Sequence, residues 1–209
     1  MSTPTSAAAA FSADLSPIVV RDVAKGYADR VVLDWIDLTV PAGRVVALIG
    51  ENGSGKSTLL RIVAGQDHPD GGTVLTPRDL GWLPQDPQFP PDATVGSVLA
   101  EVLAPLHDAV AAIETLGAAL GEDPDLATTY ADTLEWAQQH EAWDADRRAE
   151  VAAYRLGLGA LDRDRPVAEL SGGERTRLAL AALVTRRPTA LLLDEPTNHL
   201  DDNAFELVE

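Results

Sequence analysis

Eight consecutive residues, Gly50-Glu51-Asn52-Gly53-Ser54-Gly55-Lys56-Ser57, hold the chain's densest chemistry. They fit G-x-x-x-x-G-K-[ST] in full, between an apolar run at 45–49 and a helically spaced stretch at 58–64. The glycines reach backbone conformations closed to other residues, so successive N–H groups can curve around phosphate oxygens. Lys56 can bring a positive charge to β- and γ-phosphates, and Ser57 can offer its hydroxyl to Mg²⁺. The helix beginning there points its positive end at the same anion. A ligand-free glycine turn would show the same letters; the flanking strand and helix argue for a phosphate site.

A second group follows late in the chain, where Ala190-Leu191-Leu192-Leu193 ends in Asp194-Glu195. Taken alone, an apolar run closing on two acids is a buried strand and a solvated turn. After a phosphate loop it reads as the other half of one site, with Asp194 near Mg²⁺ and Glu195 placed to orient or deprotonate a water. Between the two lies Leu170-Ser171-Gly172-Gly173-Glu174. Ser171 and Glu174 have the spacing of a capping box, which predicts a helix start. Gly172 and Gly173 leave bare N–H groups at that start, so the same cap can also receive an anion.

These groups need elements to hold them. Short β-branched or alternating runs at 18–21, 31–33 and 36–40 predict strands, followed by a turn at Pro41-Ala42-Gly43. The continuous apolar run 45–49 predicts a strand buried on both faces. Gly65 stands where a helix-ending glycine belongs. Further strands are predicted at 73–76, 80–83 and 190–193, and a helix over 172–187 before Pro188. The Ala-, Leu- and Glu-rich stretch 95–158 predicts three or four helices broken at Pro105, Gly117 and 121–124. Trp136 and Trp143 are predicted to anchor those helices by packing.

Composition sets the outer bounds. The 209 residues are 45% hydrophobic and 23% charged, enough for a full core. No uninterrupted apolar run approaches the roughly 18 residues of a membrane span, so the chain is expected to be soluble, or at most attached to a membrane through a partner; its expected location is cytoplasmic. Residues 1–17 are rich in Ser, Ala, Thr and Pro without Lys or Arg, and read as a disordered tail and not a secretory signal. There is no cysteine and hence no disulfide framework. The formal net charge is −17, and residues 92–150 alone carry 13 acids against Arg147 and Arg148, a net of −11. Such a segment repels nucleic acid phosphates.

Together the motifs resemble those of the ATP-binding cassette (ABC) superfamily across residues 18–209. Gly50 to Ser57, with Thr58, resembles Walker A; Gln85 in Leu83-Pro84-Gln85 resembles the Q-loop; Ser171 to Glu174 the signature; Leu191 to Glu195 Walker B; and Asp201 in His199-Leu200-Asp201 the D-loop. The resemblance implies an α/β P-loop NTPase of the ABC type. It would have a β-subdomain and a helical subdomain, the latter carrying an arm-like insertion at about 92–168. It implies ATP and Mg²⁺ as cofactors, and Tyr27 as the aromatic that stacks on adenine. Mg²⁺ would be met by Ser57, Gln85 and, through water, Asp194; catalysis would rest on Glu195, Gln85 and Lys56. It also implies a second cassette, in the same chain or a dimer, whose nucleotide Ser171 and Gly173 contact.

The family's switch histidine would fall some thirty residues after the D-loop, and His68, His107, His140 and His199 do not match it. The chain is therefore expected to be a piece of a longer protein, binding nucleotide weakly and hydrolysing it poorly by itself. Glu195-Pro196-Thr197-Asn198-His199-Leu200-Asp201 resembles ABC-F proteins, which lack transmembrane domains and act on the ribosome or in resistance to ribosome-targeting antibiotics. Ser171 lies 86 positions after Gln85, a long interval that also resembles ABC-F first cassettes. The acidic segment 92–150 opposes direct RNA contact by an arm. Two other readings stay open: the energising cassette of a transporter, and a nucleotide-gated assembly protein.

Overall fold

The computed structural model describes residues 16–121 and 123–195, which form two compact units. The tail reading for 1–17 and the D-loop Asp201 fall wholly or almost wholly outside them.

One unit comprises the described residues up to Gln85 together with 188–195. Strand β1 (Ile18–Tyr27) turns at Ala28-Asp29 into β2 (Arg30–Val40), an antiparallel ladder running from Ile18↔Val40 to Tyr27↔Arg30. The three short strands expected here are thus two long ones. Irregularities at Asp22 and Trp35, both at φ 49°, break the side-chain alternation that sequence reading follows. On the other edge of β1 lies β3 (Gly71–Leu75), also antiparallel. Helix α1 (Lys56–Val63) closes at Ala64 and Gly65, the latter at φ 71°. Its Leu59, Ile62 and Val63 pack into one core with Ile18, Val20, Val23, Leu33 and Leu192. Strands β4 (Leu80–Leu83) and β5 (Ala190–Leu193) pair in parallel, Leu80↔Ala190 to Leu83↔Leu193.

Residues 45–49 depart from expectation. They form no strand, and Val45 and Ile49 are 100% and 95% exposed. A run apolar on both faces is buried only when strands flank it. Among the described residues none pairs with it, and β4 and β5 pair with each other.

The other unit covers Asp86–Arg187 apart from Glu122. It holds α2 (Val95–Ala119), α3 (Ala127–Gln139), α4 (Ala145–Arg155) and α5 (Gly172–Arg186). Thr94 and Ser97 form a capping box at the start of α2, and the helix then runs through Pro105 and Gly117, where breaks were expected. Proline removes one intrahelical bond, and packing of the adjacent Leu106 and of Ala109 against Ala137, Ala142 and Ala145 holds the axis together. By length and composition α2 could cross a membrane. It nevertheless carries Glu101, Asp108 and Glu114, and it packs on α3 and α5. Trp136 stacks on His140 with centroids 4.0 Å apart. Trp143 is not the anchor expected: in the short turn Ala142–Asp144 it is Ala142 that faces inward, leaving Trp143 54% exposed.

Arg148 on α4 ties the helix ends of this unit together. Its guanidinium donates twice to Thr185 O (2.8 and 2.9 Å), once to His140 O (2.8 Å) and once to Glu141 O (3.2 Å). Those carbonyls lie at the ends of α3 and α5, where helices leave acceptors unpaired.

Candidate functional site

The phosphate loop rests against β2 because of its glycines. Gly53 and Gly55 sit at φ 80° and 96°. A Cβ on Gly55 would lie 2.9 Å from both Val32 O and Leu33 Cδ2, so backbone conformation and packing both demand glycine there. Gly55 caps α1 without any side-chain hydrogen bond to the first turn. The helix's leading N–H groups are thus open to an anion. Lys56 Nζ folds over the loop and donates to the Gly50 and Glu51 carbonyls, each at 2.9 Å. Glu51, Asn52 and Ser54 are exposed, and Thr58 is buried behind them in α1.

Two contacts join this loop's helix and β4 to the end of β5. Ser57 Oγ donates to Asp194 Oδ1 at 3.0 Å, across 137 residues of sequence. Gln85 Nε2 donates to Glu195 Oε2 at 3.1 Å. Asp194 is buried at the strand end, whereas Glu195 adopts φ 49°, the left-handed region disfavoured outside glycine. Leaving the extended conformation at this residue ends the strand's alternation where the carboxylate meets Gln85. Backbone held in such a region concentrates at functional sites.

Hydroxyl and carboxylate oxygens are the donors that Mg²⁺ takes, and the Ser57–Asp194 pair supplies both within hydrogen-bond distance. No cluster of three or more His, Cys, Asp or Glu suited to a metal exists among the described residues. A cation here would draw its remaining ligands from phosphates and water, as Mg²⁺ commonly does. The residues therefore fit a magnesium nucleotide.

The β1–β2 hairpin end meets the same loop. Arg30 Nη2 donates to Gly53 O at 3.2 Å, and Tyr27 pairs with Arg30 across the turn. Tyr27 is 43% exposed, and its hydroxyl donates to Asp67 Oδ2 at 2.5 Å. Lys25 Nζ lies 5.3 Å from the Tyr27 ring centroid and 3.1 Å from Asp67 Oδ1. Hydrogen bonds from Tyr27, Lys25 and the His68 N–H pull the Asp67 carboxyl down to about 2. The bond to Asp67 also pushes the Tyr27 phenol up. Sequence reading finds Tyr27 but not Arg30, Lys25 or Asp67. Their partners lie 23 to 42 residues away, and no local spacing reports such pairings.

The signature residues lie in the helical unit. Ser171 Oγ accepts from Glu174 N–H (3.3 Å), and Glu174 Oε2 accepts from Ser171 N–H and Oγ (each 2.8 Å), completing the capping box. The Ser171 N–H bond, foremost, holds the Glu174 carboxyl below its ordinary value. A Cβ on Gly172 would meet nothing within 4 Å among the described residues, whereas one on Gly173 would lie 3.3 Å from Arg177 Nη1.

The ABC transporter family model matches residues 33–198. Tylosin resistance ATP-binding protein TlrC from Streptomyces fradiae is 43% identical over 202 residues, 93% of this chain and 37% of that protein. The energy-dependent translational throttle protein EttA is 35% identical in Mycobacterium tuberculosis, over 91% of this chain and 34% of the relative. In Escherichia coli it is 39% identical, over 86% and 33%. The chain thus spans about a third of the length of these relatives. Among solved structures, an ATP-binding subunit of an ABC transporter superposes with TM-score 0.65 at 20% identity, covering 92% of this chain and 72% of that one. Part of the cbiONQ transporter complex from Clostridium perfringens gives 0.51 at 27%, covering 91% and 70%.

Proposed function

The chain belongs to the ABC transporter family, and from that premise we propose that it is a soluble ABC-F type cassette that binds MgATP and hydrolyses it in the service of translation or resistance to a ribosome-targeting antibiotic. The observation that carries the ATPase half is the pair of contacts Ser57–Asp194 and Gln85–Glu195, which gather three separate motifs around one strand end. Identity of 35–43% to a tylosin resistance protein and a translational throttle protein supports the ribosomal half. The likeness to transporter subunits speaks for fold alone at 20% identity.

In this reading Lys56 leaves the Gly50 and Glu51 carbonyls for the β- and γ-phosphate oxygens, and the open N–H groups of α1 hold the same charge. Ser57 and Asp194 would hold Mg²⁺, Asp194 through water, with Gln85 as a further contact, and the cation would supply charge neutralisation on the phosphates. Glu195 takes the proton of the attacking water or orients it, and Gln85 fixes the Glu195 carboxylate by its amide. Ser171, Gly172, Gly173 and Glu174 present a capped helix start to the nucleotide of a second cassette. The D-loop Asp201 belongs to the same proposal. The acidic stretch 92–150 contacts protein, or little at all, and not RNA.

The test is Glu195→Gln in the complete reading frame containing this chain, assayed by cosedimentation with ribosomes. Glutamine keeps the hydrogen bond but not the base, so turnover should fall about 10²–10⁴-fold. Ribosome association should then become ATP-dependent and persistent. No cosedimentation alongside wild-type ATPase activity would reject the translation reading.

A further inference from the structure

Tyr27 is held at its far end. Its hydroxyl reaches Asp67 Oδ2 at 2.5 Å, while Asp67 Oδ1 receives Lys25 Nζ at 3.1 Å and the His68 N–H at 2.7 Å. Both carboxylate oxygens are therefore engaged, and Asp67 cannot follow the phenol if the ring swings. The loop bearing Asp67 is itself fixed to β1. Asp70 N–H donates to Ala24 O (2.8 Å), Gly26 N–H to Asp70 Oδ2 (2.7 Å), and Lys25 Nζ to His68 O (2.6 Å). The backbone of Tyr27 is set in turn by its pairing with Arg30, whose guanidinium grips Gly53 of the phosphate loop. The ring is thus fixed at Cα by a strand that registers on the phosphate loop, and at its hydroxyl by a loop forty residues onward.

An exposed tyrosine otherwise samples several rotamers, and a planar ligand stacking on it must freeze them. Here that ordering is done before the ligand arrives. We propose that Asp67 is a positioning residue for nucleotide base recognition, holding the Tyr27 ring as a preformed platform at a set distance from the phosphate loop. The proposal rests on the reading of Tyr27 as the surface on which the adenine stacks, and extends it to a residue with no ligand contact of its own. Asp67 raises affinity for the base-bearing part of a nucleotide and leaves the phosphate subsite untouched.

Equilibrium binding separates the two. The 209-residue chain is titrated in Mg²⁺ buffer with ATP and, in parallel, with inorganic tripolyphosphate, which has no base. The variants are Tyr27→Ala, Tyr27→Phe and Asp67→Ala. Tyr27→Phe keeps the ring and loses only the anchoring hydroxyl at an exposed position, so folding is preserved even if Asp67→Ala disturbs its loop. Immobilising one side chain is worth roughly two- to tenfold in affinity. Tyr27→Phe and Asp67→Ala should each raise the Kd for ATP by about that factor, with no added loss in the double variant and no change for tripolyphosphate. Tyr27→Ala should weaken ATP more than either, because stacking itself is then lost.

If Tyr27→Ala weakens ATP while Tyr27→Phe does not, the platform stands and the role of Asp67 is overturned. If Tyr27→Ala leaves ATP and tripolyphosphate both unaffected, the platform reading itself falls. Equal weakening of ATP and tripolyphosphate by Asp67→Ala, with Tyr27→Phe silent, would reduce Asp67 to a loop brace.

Discussion

Two glycines of the phosphate loop allow backbone conformation and packing to be separated in one experiment. Gly53 and Gly55 both have positive φ, 80° and 96°. Alanine at either position pays for left-handed backbone, about 1–2 kcal/mol. It also gains about 0.4–1 kcal/mol through a less flexible unfolded chain. What differs is the space each Cβ would enter. At Gly53 the nearest atom is Arg30 Nη2 at 3.8 Å, an ordinary van der Waals contact with the tip of a side chain. At Gly55 the Cβ would sit 2.9 Å from Val32 O and 3.2 Å from Val32 Cγ1, and backbone has to move. Overpacking of that kind costs about 1–3 kcal/mol. Gly53→Ala should therefore lower stability by about 1 kcal/mol and Gly55→Ala by about 2–4 kcal/mol. In a chain of this length each kcal/mol moves Tm by about 2–4 °C. Thermal unfolding followed by circular dichroism reads both variants side by side. Equal shifts, or a smaller one for Gly55→Ala, would show that the contact with β2 does not set the loop.

Two more outcomes follow from the hydrogen-bond geometry. Arg148→Ala removes four donations and leaves the buried Thr185 and His140 ends of two helices with unmet carbonyls, so urea unfolding of the helical unit should show a loss of about 2–4 kcal/mol. Lysine at the same position, with one point charge and no planar fork, should restore only part of it. Asp67 should titrate near 2 in carboxyl NMR, against an ordinary 3.8. Because its folded pKa is depressed, its contribution to stability is complete above the unfolded value and disappears as pH falls through about 2. Tyr27→Phe deletes the largest cause of that depression and should bring the midpoint back toward 3.8.

Local chemistry was legible and long-range pairing was not. The phosphate loop, the capping box Ser171–Glu174, the helix Gly172–Arg186 and strand Ala190–Leu193 all follow from spacing within about fifteen residues. Pro105 misled because its ring clash is local while the packing of Leu106 and Ala109 that overrides it comes from other elements. The bulges at Asp22 and Trp35 hid two continuous strands, since alternation resumes after each in a shifted phase. The run 45–49 shows the limit most plainly: its side chains predict burial, but burial depends on strands elsewhere. Arg30, Lys25 and Asp67 are ordinary surface charges until the hairpin end is set against two distant loops.

The unit that holds the loop at 50–57 is discontinuous, and synthesis therefore imposes an order on it. Residues up to Gln85 emerge first, then about a hundred residues that build the helical unit, and only afterwards the segment with β5, Asp194 and Glu195. At about 5–20 residues per second that interval lasts on the order of 5–20 s. Throughout it Ser57 has no Asp194 to bond, Gln85 no Glu195, and β4 lacks its parallel neighbour. Among the described residues the helical unit runs without interruption by the other unit, and its helices can form as soon as those residues are out. A nascent chain thus exposes the loop at 50–57 long before Asp194 and Glu195 exist, and the two contacts that Ser57 and Gln85 make with them can form only after the residues of the helical unit have been made.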